Sequence, residues 1–242
     1  QYYFTLNGFF KRVRNEYNYY TKKPWTLNNV GKFWDTVEGY DEINETLYPY
    51  YRRFTNSFEL GEKYLNRNNY EMLDIQSRGG KGSLFWLKNK KIKSTVCVDF
   101  SDYLASLAEQ RLSQYGFKYK IIKIHDFPLP FNNEKFDFIC SYETIEHIYN
   151  YDVFFSELVR VLKKRGIMIL TCPNVAWEWV HWLSAAININ HSEGPHRFLK
   201  KRELFNCFKK NDITMLAENS TIFLPFNNKF SINIDKLMEK YL

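Results

Sequence analysis

Three acidic residues stand at or just beyond the ends of short apolar runs. Asp74 lies in Tyr70–Ile75, Asp99 in Thr95–Phe100, and Asp126 just after Tyr119–Ile124. Between the first two runs the chain reads Gln76-Ser77-Arg78-Gly79-Gly80-Lys81-Gly82. A glycine-bearing turn leading from a strand into a helix lets backbone N–H groups approach an anionic ligand closely. Three glycines in four residues also suit a plain flexible loop. Asp99, with Phe100 beside it, has the position from which a carboxylate accepts hydrogen bonds from both ribose hydroxyls of a nucleoside. Its ordinary alternative is an acid next to the helix start near Ser101. Asp126 would then sit beside the base, where a carboxylate accepts from an exocyclic amine, and Phe127 would press on the ring.

Histidine supplies the next candidates. A neutral imidazole is the natural proton acceptor near pH 7 when an acceptor hydroxyl must be deprotonated. His147 follows Glu146 just beyond the run Phe136–Ser141, and Tyr142 stands at the end of that run. His191, His196 and Arg197 share the polar loop 190–198 with Glu193. The plain alternatives are a Glu-His pair that shapes a loop and a helix start, and loop histidines that are merely solvated. Metal is not expected, because no third strong ligand has diagnostic spacing. The aromatic stretch Ala176–Leu183 reads first as a lid or pocket wall, then as a partner-binding helix or a membrane-surface contact.

These residues need a frame that gathers the ends of the runs. After Tyr70, β-branched runs alternate with helical stretches. The runs are Tyr70–Ile75, Thr95–Phe100, Tyr119–Ile124, Phe136–Ser141 and Gly166–Thr171, with Ile213–Glu218 and Thr221–Leu224 as two more. The helical stretches are about Ser83–Asn89, Ser101–Tyr115, Tyr151–Lys163 and Lys200–Lys210. Such alternation predicts an α/β fold: a Rossmann-like, mostly parallel, seven-stranded sheet with helices on both faces. Its ligand site lies beyond the carboxyl ends of the strands. Residues 1–69 read as an N-terminal helical cap and 70–242 as the sheet domain. Phe33, Val37 and Tyr40 fall at helical spacing, and Pro49 should break or restart a helix.

Composition narrows the classes. The chain has 242 residues, 45% hydrophobic and 25% charged, as in an ordinary globular protein. The net charge of +7 favours acidic partners, but the basic groups Lys88–Lys91, Lys163–Arg165 and Lys200–Arg202 are short and fall at expected helix ends or loops. Four widely spaced cysteines, three in apolar runs or at their ends, point to a reducing, cytoplasmic setting. No apolar stretch nears the ~20 residues of a transmembrane helix. The first residue is Gln, so an earlier segment remains compatible with this sequence.

The run HDFPLPFNNEKFDFICSYETIEHI, His125 to Ile148, resembles the SAM-dependent methyltransferases of the methyltransferase-11 type (SAM, S-adenosylmethionine). Their pattern is an acidic residue, a Leu-Pro-Phe segment, Phe-Asp and a Glu-His pair. Glu157–Asn174 is similar to that family's helix, turn and fifth strand ending in Pro-Asn, and Val30–Glu45 to its amphipathic cap. The resemblance spans roughly residues 30 to 215. It implies a class I fold, SAM as cofactor, and methyl transfer to a small-molecule, sugar or lipid-linked acceptor. Cofactor contacts would fall to Asp74, Gln76, Arg78, Gly80, Asp99, Phe100, Asp126, Phe127 and Tyr142. Acceptor contacts would fall to Trp34, Tyr40, His191 and Arg197, with His147 and His196 as proton acceptors. The sequence departs from the family at the cofactor loop. Gln76 and Arg78 replace its first two glycines, and only Gly80 matches. A catalytically silent domain serving as a binding partner is therefore the rival. Nucleic-acid amino methylation is disfavoured, since Ser141–Thr144 lacks an Asn/Asp-Pro-Pro-aromatic signature. A dinucleotide glycine fingerprint is absent. Peripheral membrane contact and oligomeric state stay open.

Overall fold

The computed structural model describes residues 6–21, 23–40, 44–45, 47–188, 192–222 and 228–238. Its centre is a parallel sheet of β1 (Tyr70–Ile75), β2 (Ile92–Asp99), β3 (Lys118–Lys123), β4 (Phe136–Tyr142) and β5 (Leu162–Thr171). The spatial order is β3-β2-β1-β4-β5, with every neighbouring pair parallel. Strands covered on both faces read as continuous apolar runs, and β4 is buried at every position. The strand order reverses between β1 and β4, so a crevice forms above the carboxyl ends of those two strands.

Helices α4 (Lys81–Lys88), α5 (Asp102–Leu112) and α6 (Tyr151–Val161) connect the strands. Trp86, Met72, Phe138, Phe154 and Phe155 fill the layers between sheet and helices and are almost wholly buried. Ser101 caps α5 by accepting from Leu104 N–H, and Asn150 caps α6 by accepting from Val153 N–H.

Among the described residues the sheet has five strands rather than seven. Ile213–Glu218 joins no ladder. Its apolar residues do not alternate, and Met215 and Leu216 are exposed, so no single face could be buried against β5. Part of Thr221–Leu224 lies outside the described residues. Lys163–Arg165 also differs from expectation. The β4–β5 register jumps from Phe136↔Leu162 to Phe138↔Ile167, so these basic residues form a bulge in β5 rather than a helix end. Cys97, Cys140 and Cys207 are buried, whereas Cys172 is exposed at the end of β5.

The N-terminal part contributes α1 (Leu6–Thr21), α2 (Leu27–Trp34) and α3 (Tyr48–Gly61). Thr26 and Asn29 close a reciprocal capping box at the start of α2. Pro49 sits in the first turn of α3, where a missing N–H costs nothing. The single helical spacing expected through Phe33, Val37 and Tyr40 breaks after Trp34, yet Val37 and Tyr40 still reach the core.

Helix α2 lies across the end of β2. A Cβ on Gly31 would stand 1.9 Å from the Phe100 carbonyl oxygen, so only glycine permits this approach. Asp35 fixes the contact by accepting from Ser101 Oγ (2.7 Å) and Tyr103 N–H (3.1 Å). Farther along, α1 packs on α7 (Glu178–Ala186), where Arg12 Nε donates to Ala186 O at 2.9 Å. Helices α8 (Lys201–Lys210) and α9 (Lys229–Met238) follow, and short 3-10 turns stand at Glu62–Tyr64, Ile145–His147 and Val175–Trp177. No described helix is long and apolar enough to cross a membrane.

Candidate active site

The loop after β1 is held in a backbone conformation that suits glycine. Gln76 has φ 52°, Arg78 φ 51° and Gly80 φ 73°. Left-handed backbone costs an L-residue roughly 1–2 kcal/mol, so two of the three positions are strained. The turn is tied down by Ser77 N–H to Val98 O (3.1 Å) and Gly80 N–H to Ser77 O (2.9 Å). The Arg111 guanidinium donates to Gly79 O. Glycine at 80 has a second cause: a Cβ there would meet Ala108 Cβ of α5 at 3.1 Å. The side of Gly80 that a side chain would occupy thus faces a helix.

Asp99 is 1% exposed and caps this turn. Its Oδ2 accepts from Arg78 N–H (2.7 Å), and its Oδ1 from Phe100 N–H (2.8 Å) and Ser101 N–H (2.9 Å). Burial pushes its carboxyl up to about 6, against the pull of these hydrogen bonds. Asp74, also buried, accepts from Ser83 Oγ at 2.7 Å. Burial pushes its carboxyl up to about 7. Asp74 Oδ1, both ends of the Gln76 amide and Ser77 Oγ are buried without a hydrogen-bond partner among the described residues. Orphaned polar atoms at this density call for a polar guest.

The Arg78 side chain turns inward. One guanidinium nitrogen donates to Tyr40 OH (2.5 Å) and the other to Glu143 O (2.7 Å). Its carbon lies 4.9 Å from the centre of the Trp34 ring and 5.5 Å from that of Tyr40. Burial alone would weaken its hold on the proton, but Tyr40 and the carboxylates of Glu193 and Glu146 more than offset this. Beside it remains a cavity of about 20 Å³ bordered by Tyr50, Asp74, Gln76, Ser77 and Tyr142. That is room for about one water. Tyr142 is a wall of this cavity, and its hydroxyl is engaged by Trp86 Nε1 at 2.7 Å.

On the β2–β3 side, Phe100 is buried under α2. Asp126 is exposed and accepts from Phe127 N–H at 2.8 Å. Phe127 packs against Phe154, ring centres 6.1 Å apart, so one face of its ring is committed to the core.

His147 sits at the β4 end with no exposure. Its Nδ1 lies 3.1 Å from Pro195 O, and a carbonyl can only accept. The proton is therefore on Nδ1, and Nε2 presents a lone pair without a hydrogen-bond partner among the described residues, with Glu146 Oε1 4.0 Å away. Burial first, and then the Arg78 charge, push the imidazole down to about 3. It is neutral at pH 7 and a weak base. His196 donates from Nδ1 to Gly194 O at 2.8 Å, and its ring lies 6.4 Å from that of His147.

Trp34 and Tyr40 are each 1% exposed and form the wall against Arg78 and His147. Arg197 is turned aside, donating to Tyr151 OH (3.0 Å) and pairing with Glu203 (3.4 Å). His191 lies outside the described residues.

Sequence reasoning took Glu146 only as the neighbour of His147 and passed over Glu16. Glu146 is 4% exposed, and burial raises its carboxyl well above the usual range. Glu16 of α1 is as little exposed, and burial raises its carboxyl too, with Ser192 as a hydrogen-bond partner. Its signal was available: it falls on the same helical stripe as Phe9 and Val13. From this charged cluster a cavity of about 1560 Å³ opens along β5. Its lining includes Arg78, Glu146 and His181, the apolar Ile167, Ile169 and Phe208, and the basic Lys163, Lys164 and Arg165 of β5.

Residues 73–170 match the family model described as a methyltransferase domain. The chain is 27% identical over 177 residues to a ubiquinone biosynthesis O-methyltransferase of Bartonella tribocorum, covering 69% of this chain and 70% of that protein. It is 29% identical over 110 residues to the protein of the same name from Bartonella quintana, where it spans 42% of this chain and only 44% of the relative. Its fold matches that of Haemonchus contortus phosphoethanolamine N-methyltransferase 2 in complex with S-adenosyl-L-methionine, with a TM-score of 0.61 and 16% identity. That match covers 88% of this chain and 49% of the other.

Proposed function

We propose that this chain, which carries a class I SAM-dependent methyltransferase domain, methylates oxygen or nitrogen of a small-molecule, sugar or lipid-linked acceptor. The named relatives favour oxygen. The observation that carries the reading is the turn after β1. It keeps the left-handed backbone of a cofactor loop at Gln76, Arg78 and Gly80, beside a buried carboxylate on β2. The donor set fits the cofactor. Asp99 suits ribose hydroxyls, the orphaned atoms of Asp74, Gln76 and Ser77 suit the amino-acid end, and Asp126 with Phe127 suits the base. Admission requires the Arg78 side chain and the cap to move, because the present cavity is about 20 Å³. When bound, SAM supplies an electrophilic methyl group.

The chain's own part is positioning and proton handling. The wall of Trp34 and Tyr40 excludes water. His147 Nε2 is an acceptor for an acceptor hydroxyl, and its low basicity makes it better at orienting that hydroxyl than at removing its proton. His196 is the second candidate, less buried and bonded only within its own loop as far as its ring is concerned. The 1560 Å³ cavity, where apolar side chains such as Ile167, Ile169 and Phe208 are mixed with charged ones such as Glu146, Lys163 and Arg165, suits an amphiphilic acceptor. Trp179, Trp182 and Leu183 are exposed on α7 and give such an acceptor a lipid-facing approach.

The test is calorimetry with SAM, followed by transfer of labelled methyl to a panel of phenolic and amphiphilic acceptors. Binding without transfer to any class would support the second reading, a silent binding domain, which Arg78 inside the cradle favours. Absence of binding would remove the enzymatic reading.

A further inference from the structure

Acidic side chains gather where β4 and β5 end, in a chain whose net charge is +7. Glu143 and Glu146 follow β4, and Glu193 reaches the same cavity from the loop before α8. Glu143 and Glu193 both act on Glu146, and Glu143 and Glu146 both act on Cys172 at the end of β5. Glu146 is 4% exposed and borders the cavity, and its Oε2 has no hydrogen-bond partner among the described residues. The neighbouring His147 Nε2 is a second buried acceptor without a donor, 4.0 Å from Glu146 Oε1. Two such orphans side by side call for a polar guest.

The charge of that guest follows from Arg78. Burial and then Glu143 push the Glu146 carboxyl up, and Arg78 is the positive charge that opposes them. The same guanidinium donates to Glu143 O at 2.7 Å. Admission of SAM requires Arg78 to move, because the space beside it is about 20 Å³. The carboxylates then stay behind without that counter-charge, where an uncompensated buried charge is costly. A cationic guest restores the balance. Among the described residues no three His, Cys, Asp or Glu side chains are gathered as metal ligands, so the donors suit an organic cation. Phe198, its ring 5.1 Å from that of His181, lines the same cavity and adds an aromatic neighbour of the kind that attracts such ions.

We propose that the methyl acceptor carries a protonated amine, and that this ammonium group seats against Glu146 with Glu143 and Glu193 around it. The inference rests on the SAM reading above and names the acceptor class for it. Arg78 is then a placeholder. Its guanidinium supplies the counter-charge in the apo chain and withdraws it in the movement that admits SAM. The apolar part of the acceptor lies along Ile167 and Ile169 of β5, which border the same cavity. The sulfonium of SAM is a competing counter-charge. S-adenosylhomocysteine (SAH) lacks it, so an SAH-loaded chain isolates the charge of the acceptor.

The experiment is a ligand-observed NMR titration of phenylbutylamine, phenylbutanol and phenylbutyrate on the SAH-loaded chain near neutral pH. SAH binding is measured first by calorimetry. The probes share an apolar body and differ in charge: positive, neutral and negative. The amine should bind about tenfold or more tighter than the alcohol, and the carboxylate weakest of the three. Glu146→Gln keeps the shape and removes the charge. It should bring amine and alcohol to within about threefold of each other, with SAH affinity within about threefold of wild type. Glu193→Gln, at a half-buried position, should lower the amine preference by about threefold, and it carries the test if circular dichroism shows Glu146→Gln unfolded. Equal affinities for amine and alcohol in the wild type, or no binding of any probe, overturn the proposal and leave SAM use intact. An amine preference that both variants leave unchanged also overturns it, since the cation would then sit elsewhere. A wild-type chain that does not bind SAH removes the SAM reading, and the proposal falls with it.

Discussion

Replacing Asp99 by Ala should destabilise the apo protein by about 2–4 kcal/mol, before any ligand is considered. The carboxylate accepts three backbone N–H bonds, from Arg78, Phe100 and Ser101 at 2.7, 2.8 and 2.9 Å. Each buried donor left without a partner costs about 1–3 kcal/mol. Against this, burial raises the carboxyl from 3.8 to about 6. At about 1.4 kcal/mol per pKa unit, holding it ionised at pH 7 costs on the order of 3 kcal/mol, which the substitution returns. The loss remains the larger side. For a chain of this size that is a fall of roughly 5–15 °C in melting temperature. Asp99→Asn keeps one oxygen for Phe100 and Ser101 and should cost about half as much. The pH dependence has a definite sign. The folded carboxyl sits above its unfolded value, so the folded state takes up its proton more readily. Its penalty is absent well below pH 4, grows between about 4 and 6, and is complete above 6. Urea unfolding of wild type and Asp99→Asn at pH 7 and pH 4.5 measures this. The wild-type advantage should increase on acidification. A midpoint for Asp99→Ala equal to wild type, with no pH dependence of the difference, would refute the geometry of the loop.

Gln76→Gly should stabilise the apo chain by about 1 kcal/mol in urea, by relieving left-handed strain and an unpartnered buried amide at the cost of some burial. A loss of stability would mean that the amide has a partner. His147→Asn should lower turnover by about tenfold while leaving SAM affinity within about threefold, the loss of an orienting group rather than of a strong base. Full turnover would remove His147 from the orienting role. The same variant should resist acid better than wild type. The folded imidazole, at about 3, lies below its unfolded value near 6.5, so stability is lost as pH falls through that window. Gly31→Ala should weaken cap docking by about 2 kcal/mol or more, because its Cβ would stand 1.9 Å from Phe100 O. Faster proteolysis within the first 45 residues reads it out.

What was legible in the sequence was the part governed by local pattern. The β-branched runs located five strands, and Asp74 and Asp99 were placed at strand ends because period and length suffice for that. Pro49 marked the start of α3 for the same reason. What depends on tertiary approach was not legible. Gly80 was read as a ligand contact, and no local pattern could show that the side a Cβ would occupy belongs to Ala108, distant in sequence. Arg78 could have faced solvent, and only the docking of Trp34 and Tyr40 turns it inward. Ile213–Glu218 had β propensity without an alternating face, and propensity alone does not secure a ladder. Glu16 reaches the acid cluster from α1, a juxtaposition that no local window contains.

The cap and the cofactor loop behave as one mechanical unit, and this bears on how the site opens. Asp35 of the cap holds Ser101 and Tyr103 at the start of α5. Ser101 N–H in turn donates to Asp99, and Asp99 holds the backbone of Arg78. Arg78 closes the circuit by returning to the cap at Tyr40. Moving the cap alone would strip a buried guanidinium of its aromatic faces. Moving Arg78 alone would leave Tyr40 and Glu143 O facing an emptied space. Both losses are of the order of a broken buried charge contact, so opening of cap and loop is cooperative. A ligand that enters must return that energy through its own contacts. Apparent affinity is then intrinsic affinity reduced by the closed population. Substitutions at Gly31 or Asp35, which touch no ligand, should therefore alter affinity by shifting the closed population, and rate of entry should change with them.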